Sequence, residues 1–306
     1  MRIKPRQLMN QLRVKLIDFN HMIPMLGLNN PLQMECFLMQ LVDSIRRIEY
    51  VEYLRDKEND HTCASPHLDG FNPIKAAAWQ RANGNFDEAC WLTFLITQFS
   101  KNKFTGWQLV KDIYGGLGQF LWDWPAVSQN PGLLAQWVDE NQGLLRSRGK
   151  FGNHRKFESL KFDKTGITIL SYVDGVGANH DHAERFNSLE PESHNSRDRF
   201  QLFYNSLNDV YRFGRTAKFD HVTMLGKLGL ADVEPDSVYM HGASGPYAGG
   251  NLLFAGAETA GISREQLNDQ LSALEAHLEL TFGMQILEDA LCNWQKQPAN
   301  YEYFSG

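Results

Sequence analysis

The stretch Ser171-Tyr-Val-Asp-Gly175-Val-Gly177-Ala-Asn-His-Asp-His-Ala183 decides how this chain is read. Gly175 and Gly177 let the backbone turn sharply and approach a ligand closely, because a residue without a Cβ enters conformations closed to others. The stretch reads as two helices joined by a tight turn. The second helix would point free N–H groups from its N-terminus at a phosphate. Such a hairpin holds a nucleic-acid backbone without reading bases. The plain alternative is an ordinary turn between two packed helices, and a lone Gly-X-Gly does not decide between them.

Two further segments give the hairpin a context. Downstream lies Phe213-Gly-Arg-Thr-Ala-Lys-Phe-Asp220-His-Val-Thr-Met-Leu, with an acid before an apolar run, in the position of a cap for a helix over 221–228. Upstream, Asp87-Glu-Ala-Cys-Trp-Leu-Thr-Phe-Leu-Ile-Thr-Gln98-Phe is an amphipathic helix ending in an amide. A glutamine-bearing helix, a glycine hairpin and a lone aspartate, in that order, resemble the helix-hairpin-helix DNA glycosylases. The resemblance implies an all-α, helix-hairpin-helix DNA glycosylase-like fold and a base flipped out of the duplex. Asp220 would be the catalytic acid, stabilising an oxocarbenium-like sugar and orienting water. Gly175, Gly177 and Asn179 would hold the DNA backbone, and Gln98 would fill the hole left by the base. Strand-cleaving members carry a nucleophilic lysine where Asn179 stands. An amide forms no Schiff base, so a monofunctional enzyme leaving an abasic site is expected. The interval from Gly175 to Asp220 exceeds the usual one, and the polar stretch 187–198 is the expected insertion.

Composition sets the outer bounds. The 306 residues, 42% hydrophobic and 22% charged, suffice for one large domain or two small ones. No apolar run reaches bilayer length, and Met1-Arg-Ile-Lys-Pro-Arg lacks a signal-peptide core, so a cytoplasmic protein without membrane contact is expected. Cys36, Cys63, Cys90 and Cys292 are too scattered for an iron–sulfur cluster and read as reduced thiols. The net charge is −6, but basic residues cluster locally. Arg2, Lys4, Arg6, Arg13 and Lys15 precede the first acid, and Arg146, Arg148, Lys150, Arg155, Lys156, Lys161 and Lys164 form a second run. Screening confines distant acids to a reach of roughly 10 Å, so such patches can bind phosphates on an acidic protein. Solvated basic faces are the equal alternative. Asn153-His154-Arg155-Lys156 reads as a phosphate-contacting turn or as a surface loop.

Helical periodicity dominates. Asn30-Pro31 opens a helix, Asn85 can cap the helix bearing Gln98, and Thr105 begins one stopped by Gly115-Gly116. Ser263-Arg-Glu-Gln266 is a capping box before a long apolar pattern from Leu267 to Leu291. Thr165-Gly-Ile-Thr-Ile-Leu170 is the best strand candidate. Residues 57–73 and 187–198 read as loops, and 231–262 as an ordered irregular segment. Within the latter, Tyr239-Met-His-Gly-Ala-Ser-Gly245-Pro-Tyr-Ala-Gly-Gly250 is a rival anion-binding loop or hairpin. If it were the hairpin, Asp269 would be the acid. It lacks the Gly-Lys-Ser/Thr of a P-loop. His180-Asp181-His182 and the His61, Cys63, His67 group lack metal-ligand spacing and read as surface histidines, so neither metal nor cofactor is expected. Trp91, Trp107 and Tyr172 line a pocket or, more simply, form core.

A narrower resemblance rests on Asp87-Glu-Ala-Cys-Trp-Leu, Phe151-Gly-Asn-His-Arg-Lys-Phe-Glu-Ser-Leu160, Phe213–Asp220 with Met224-Leu-Gly-Lys-Leu-Gly229, Gly242-Ala-Ser-Gly-Pro246 and Glu288-Asp-Ala-Leu-Cys-Asn-Trp294. Together they are similar to the alpha-glutamyl/putrescinyl thymine pyrophosphorylases, clade three, from about residue 80 onward. The chain also resembles phage-defence glycosylases acting on glucosylated hydroxymethylcytosine. These resemblances imply double-stranded DNA with modified bases as the partner, and no obligate protein partner. Two chemistries follow: excision of a hypermodified pyrimidine, or transfer of an amine onto an activated 5-hydroxymethyl pyrimidine with release of pyrophosphate. A binder of modified DNA without catalysis is the third reading. The expected organisation is a helical extension over 1–80 and a glycosylase-like domain over 81–306, with Gly245 as a further DNA contact.

Overall fold

Fifteen α-helices and no β-strand are present among the described residues, and a computed structural model describes residues 4–189 and 193–304. The fold is all-α. The chain divides into two units: residues up to Tyr50 join those from Glu234 onward, and Val51–Val233 form the other. This differs from the expected boundary near residue 80. The cause is visible in the core of the first unit, where N-terminal and C-terminal helices bury one another's apolar faces.

In that unit, α1 (Pro5–Met22) buries Leu8, Leu12, Leu16 and Phe19 at helical spacing. They share a core with Phe37, Leu38 and Leu41 of α2 (Pro31–Asp56) and Leu253 of α13 (Ser244–Ala255). Leu267, Leu271 and Leu274 of α14 (Arg264–Leu278) and Leu287, Leu291 and Trp294 of α15 (Gly283–Trp294) complete it. Two expected helix starts are present. The Asn30 side chain accepts a hydrogen bond from the Leu32 N–H at 2.9 Å, and Ser263 Oγ accepts from the Gln266 N–H at 3.1 Å. The long pattern after Ser263 is two helices, because Glu279 and Phe282 take left-handed backbone conformations between them.

The glycine-rich stretch expected to be irregular, 231–262, contains one helix, α13, and is otherwise non-helical. Its glycines bring helices together rather than holding an anion. A Cβ on Gly249 would lie 2.5 Å from the Leu291 carbonyl oxygen, and one on Gly245 would lie 2.8 Å from Cys292 Sγ. Gly245 is thus a packing residue, contrary to its expected role as a DNA contact. All four cysteines are free thiols.

The second unit is organised around α4 (Phe86–Phe99), in which every residue from Glu88 to Phe99 is buried. Against it pack α3 (Pro73–Ala82), α10 (His182–Leu189) and α12 (Arg215–Lys227); α9 (Ile167–Val176) meets it through Tyr172, and α11 (Ser196–Ser206) packs on α10 and α12. Helices α5 (Gln108–Tyr114), α6 (Trp124–Gln129), α7 (Pro131–Glu140) and α8 (Gln142–Arg148) lie between α4 and α9 in sequence. Phe94 of α4 stacks on Tyr172 of α9, with ring centroids 3.9 Å apart. Trp91 is therefore a core residue, as the plainer reading held, and Tyr172 is buried while also lining a cavity.

Several local expectations change. The strand candidate 165–170 is helical: a π-turn over Phe162–Gly166 leads into α9. Within it the Thr168 and Ser171 hydroxyls donate back along the helix to the Lys164 and Ile167 carbonyls. Helix α5 starts three residues later than Thr105. Asn85 precedes α4 but gives it no side-chain cap; its amide donates to Gln80 Oε1. Of the expected insertion 187–198, the ends belong to α10 and α11, and residues 190–192 lie outside the described residues, as does Arg2.

Candidate active site

Asp220 is the sixth residue of α12, which begins at Arg215 with Gly214 as its cap. It is not the cap expected of it; its carboxylate projects from an established helix. Asp220 Oδ2 lies 2.7 Å from His154 Nδ1. Both side chains keep solvent access, at 30% and 41% exposure. A carboxylate at this distance from Nδ1 fixes the orientation of the imidazole ring. The structure thus joins two expected site residues that stand 66 positions apart in the chain.

His154 is placed by the segment around it. Residues Asn153–Arg155 form one 3-10 turn. Gly152 before it packs so closely that a Cβ would meet Ser100 Cβ at 2.4 Å, and its N–H donates to the Phe99 carbonyl. Arg155 after it points inward and is 6% exposed. Its guanidinium donates to Gln98 Oε1 at 2.6 Å, to the Gln98 carbonyl at 3.3 Å and to the Arg212 carbonyl at 3.1 Å. Burial lowers the Arg155 pKa, and nearby Glu158 opposes that.

Two residues expected to contact DNA face the interior instead. Arg155 is committed to the interior by three hydrogen bonds from its guanidinium. Gln98 is 0% exposed, bonded to Arg155 and, at 3.4 Å, to Thr165 Oγ1. It cannot be an intercalating side chain in this conformation. Asn153 and Lys156 are exposed, as a phosphate-contacting turn requires.

The helix–turn–helix expected at Gly175 is present as α9 and α10. Gly175 lies in the last turn of α9, while Gly177, at φ +104°, is the residue that ends it. The N-terminus of α10 is not open to a phosphate as expected. Asp87 Oδ1 accepts from the His182 N–H at 2.7 Å, and Asp181 Oδ1 accepts from the Glu184 N–H at 2.8 Å. Two carboxylates already occupy the positive end of the helix. The Asn179 amide donates to Glu184 Oε2.

Beneath this turn lies a polar network that the sequence did not disclose. His182 is buried, not a surface histidine. Its Nδ1 is 2.7 Å from Asp87 Oδ1 and its Nε2 is 2.9 Å from Tyr172 Oη. Burial lowers the His182 pKa against the pull of Asp87, so the ring is neutral at physiological pH. It then donates from Nδ1 to Asp87 and accepts the Tyr172 proton at Nε2. For Asp87, burial raises the pKa, but the His182 bonds prevail and hold it below the ordinary value.

A cavity of about 40 Å³ adjoins this network, lined by Tyr172, His182, Phe186, Phe203, His221 and Leu225 among others. His221 follows Asp220 in α12 but faces inward. Burial, with neighbouring His182, pushes its pKa down to about 3, so it too is neutral. Its Nδ1 has no hydrogen-bond partner. The spacing His180-Asp-His182 was the only sequence signal for any of this.

Asp269, the alternative acid, lies on α14 in the other unit, after a segment in which Gly256 and Gly261 take left-handed backbone conformations. No group of three or more His, Cys, Asp or Glu is placed to hold a metal among the described residues. No described helix is long and apolar enough to cross a membrane. Neither a curated protein nor a solved structure matches the chain. The family model for alpha-glutamyl/putrescinyl thymine pyrophosphorylase clade 3 matches residues 32–306, and the chain belongs to that family.

Proposed function

We propose that this protein is a monofunctional DNA glycosylase acting on a hypermodified pyrimidine of the glucosylated 5-hydroxymethylcytosine type, with anti-phage defence as its role. The observation that carries the reading is the solvent-accessible pair of His154 Nδ1 and Asp220 Oδ2 at 2.7 Å. In this reading the target base leaves the stack of double-stranded DNA. The bond from C1′ to the base nitrogen breaks, and the base departs with the electron pair. The Asp220 carboxylate stabilises the positive sugar. A water oxygen bonds to C1′, and His154 Nε2 takes the water proton. Asn153 and Lys156 contact phosphates beside the site, and Gly177 with Asn179 forms the turn that meets the backbone. Family membership supports the modified-pyrimidine half of the reading, and the carboxylate–imidazole pair supports the hydrolytic half.

A second reading is favoured by the family's description as pyrophosphorylases. The same pair would then deprotonate an amine that attacks the exocyclic methylene of an activated pyrimidine. The carbon–oxygen bond to pyrophosphate breaks and pyrophosphate carries the electrons away. One experiment separates the two. Purified protein is incubated with phage DNA containing glucosylated hydroxymethylcytosine and with unmodified DNA. Released bases are measured by mass spectrometry, abasic sites by alkaline cleavage, and pyrophosphate in a parallel reaction with activated hydroxymethyluracil DNA and an amine. Release from modified DNA, reduced about 10²- to 10⁴-fold in Asp220→Asn and His154→Gln, is expected. Pyrophosphate release without base release would replace the glycosylase by the transferase. Full activity in both variants would remove the pair from either mechanism.

A further inference from the structure

Two phenylalanines stand almost entirely in water: Phe104 and Phe157 are each 85% exposed. Single exposed apolar residues are common on protein surfaces and need no ligand. What sets these two apart is how they are held and what surrounds them.

Phe104 sits at the tip of a tight turn. Asn102 and Gly106 exchange backbone hydrogen bonds at 2.9 and 3.0 Å, and Asn102 Oδ1 accepts from the N–H groups of Phe104 and Thr105. Phe157 is raised between two inward-facing residues. Arg155 on one side is buried, and Glu158 on the other is bonded by Arg212 at 2.8 Å. The two turns are joined to each other. Asn102 Nδ2 donates to the Phe151 carbonyl at 2.9 Å, and the Lys150 N–H donates to Thr105 Oγ1 at 3.2 Å. Both rings are therefore presented on one braced pair of loops.

The surroundings are cationic. Lys101, Lys103, Lys150, Lys156 and Lys161 are all exposed on the same segments. Lys156 Nζ lies 5.0 Å from the Phe157 ring centroid, and Lys103 Nζ lies 6.0 Å from that of Phe104. Exposed flat rings interleaved with lysines match a polyanion that also offers flat apolar faces, which is a nucleic-acid strand with unstacked bases. A stacked duplex hides those faces. Phe157 follows His154 by three residues, so the two Cα atoms are at most about 11 Å apart.

We propose that Phe104 and Phe157 form a stacking platform for unpaired bases, so that the chain engages an unpaired DNA strand alongside the His154–Asp220 pair. The proposal deepens the reading of that pair as acting on DNA and rests on it. It predicts tighter binding to a single-stranded oligonucleotide than to a duplex of the same length, with no modified base required.

The test is fluorescence anisotropy with a 20-nucleotide unmodified strand and its duplex across a salt series. A strand carrying 2-aminopurine reports stacking in parallel. Phe104→Ala and Phe157→Ala are each expected to weaken strand binding roughly 5- to 150-fold and to leave the salt slope unchanged. Lys150→Gln and Lys156→Gln are expected to lower that slope by about 0.7 each. Phe157→Trp is expected to retain the 2-aminopurine response. Phenylalanine variants that bind the strand as the wild type does would overturn the proposal. So would duplex binding tighter than strand binding. Phe-dependent sedimentation with anionic phosphatidylserine vesicles, without oligonucleotide binding, would assign the rings to a membrane surface instead. The two readings fail separately. Base release that is intact in the double alanine variant sinks the platform alone. Phe-dependent strand binding in a protein that releases neither base nor pyrophosphate sinks the catalytic reading alone.

Discussion

Replacing Gln98 by leucine distinguishes an interior role from a DNA-inserting one. Gln98 Oε1 accepts a 2.6 Å hydrogen bond from the Arg155 guanidinium, in a place where Gln98 is 0% exposed and Arg155 is 6% exposed. Leucine keeps the volume and removes the acceptor. The guanidinium N–H then remains buried without that partner, because the other two Arg155 acceptors are backbone carbonyls already in use. A hydrogen bond to a charged group contributes about 1.5–3 kcal/mol, and a buried donor left unpaired costs a similar amount. The weak 3.4 Å bond to Thr165 adds little. The expected loss is therefore about 2–3 kcal/mol. For a unit of this size that is a Tm decrease of about 4–12 °C. The assay is thermal unfolding followed by circular dichroism, with Gln98→Glu alongside. Glutamate restores an acceptor beside the guanidinium and is expected to recover most of the loss. A Gln98→Leu protein with wild-type Tm but weakened DNA binding would refute the reasoning and return Gln98 to the DNA surface.

Two other substitutions test the packing and the electrostatics. Burial holds the Glu88 carboxyl at about 7 instead of 4.5, against the donors Tyr114 Oη and the Trp124 N–H. Between those values the folded state keeps a proton that the unfolded state releases, so stability falls by about 3 kcal/mol as pH rises from 4.5 to 7; Glu88→Gln should remove that slope from the denaturant midpoint, and an unchanged slope would locate it elsewhere. Gly249→Ala places a methyl against the Leu291 carbonyl at 2.5 Å and should cost about 1–3 kcal/mol through displacement of α15, whereas a neutral result in calorimetry would show that the α13–α15 contact yields freely.

What the sequence disclosed was local. Asn30-Pro31 and Ser263-Arg-Glu-Gln266 carry their own capping chemistry, and both helices begin where those residues place them. The turn at Gly177 was legible for the same reason: a residue at φ +104° favours glycine. The misreadings involve partners distant in the chain. Gly245 and Gly249 looked like part of an anion-binding loop because nothing near them in sequence announces that Leu291 and Cys292 will lie against them. Gln98 looked like a polar helix end because its partner, Arg155, is 57 positions away. His182 looked like one of two surface histidines; only the fold brings Asp87 and Tyr172 to its two nitrogens.

The segment Phe151-Gly-Asn-His-Arg-Lys-Phe-Glu-Ser-Leu160 shows why the site was half legible. Its donors suggested phosphate binding, and composition alone cannot say which of them turn inward. Gly152, Arg155 and Glu158 are the anchors, held by Ser100 contact, by Gln98 and by Arg212 respectively. The residues between them point outward: Asn153, His154, Lys156 and Phe157 are exposed. Three anchors in seven residues leave the intervening positions little freedom, so His154 is delivered to Asp220 by a rigid frame rather than by its own rotamer preference. This makes Arg155 a positioning residue for His154 in the proposed reaction. It also explains how one short stretch can carry a buried arginine, a half-exposed imidazole and an exposed aromatic ring. A motif of this kind constrains the chain from inside while leaving its outward residues to act on a substrate.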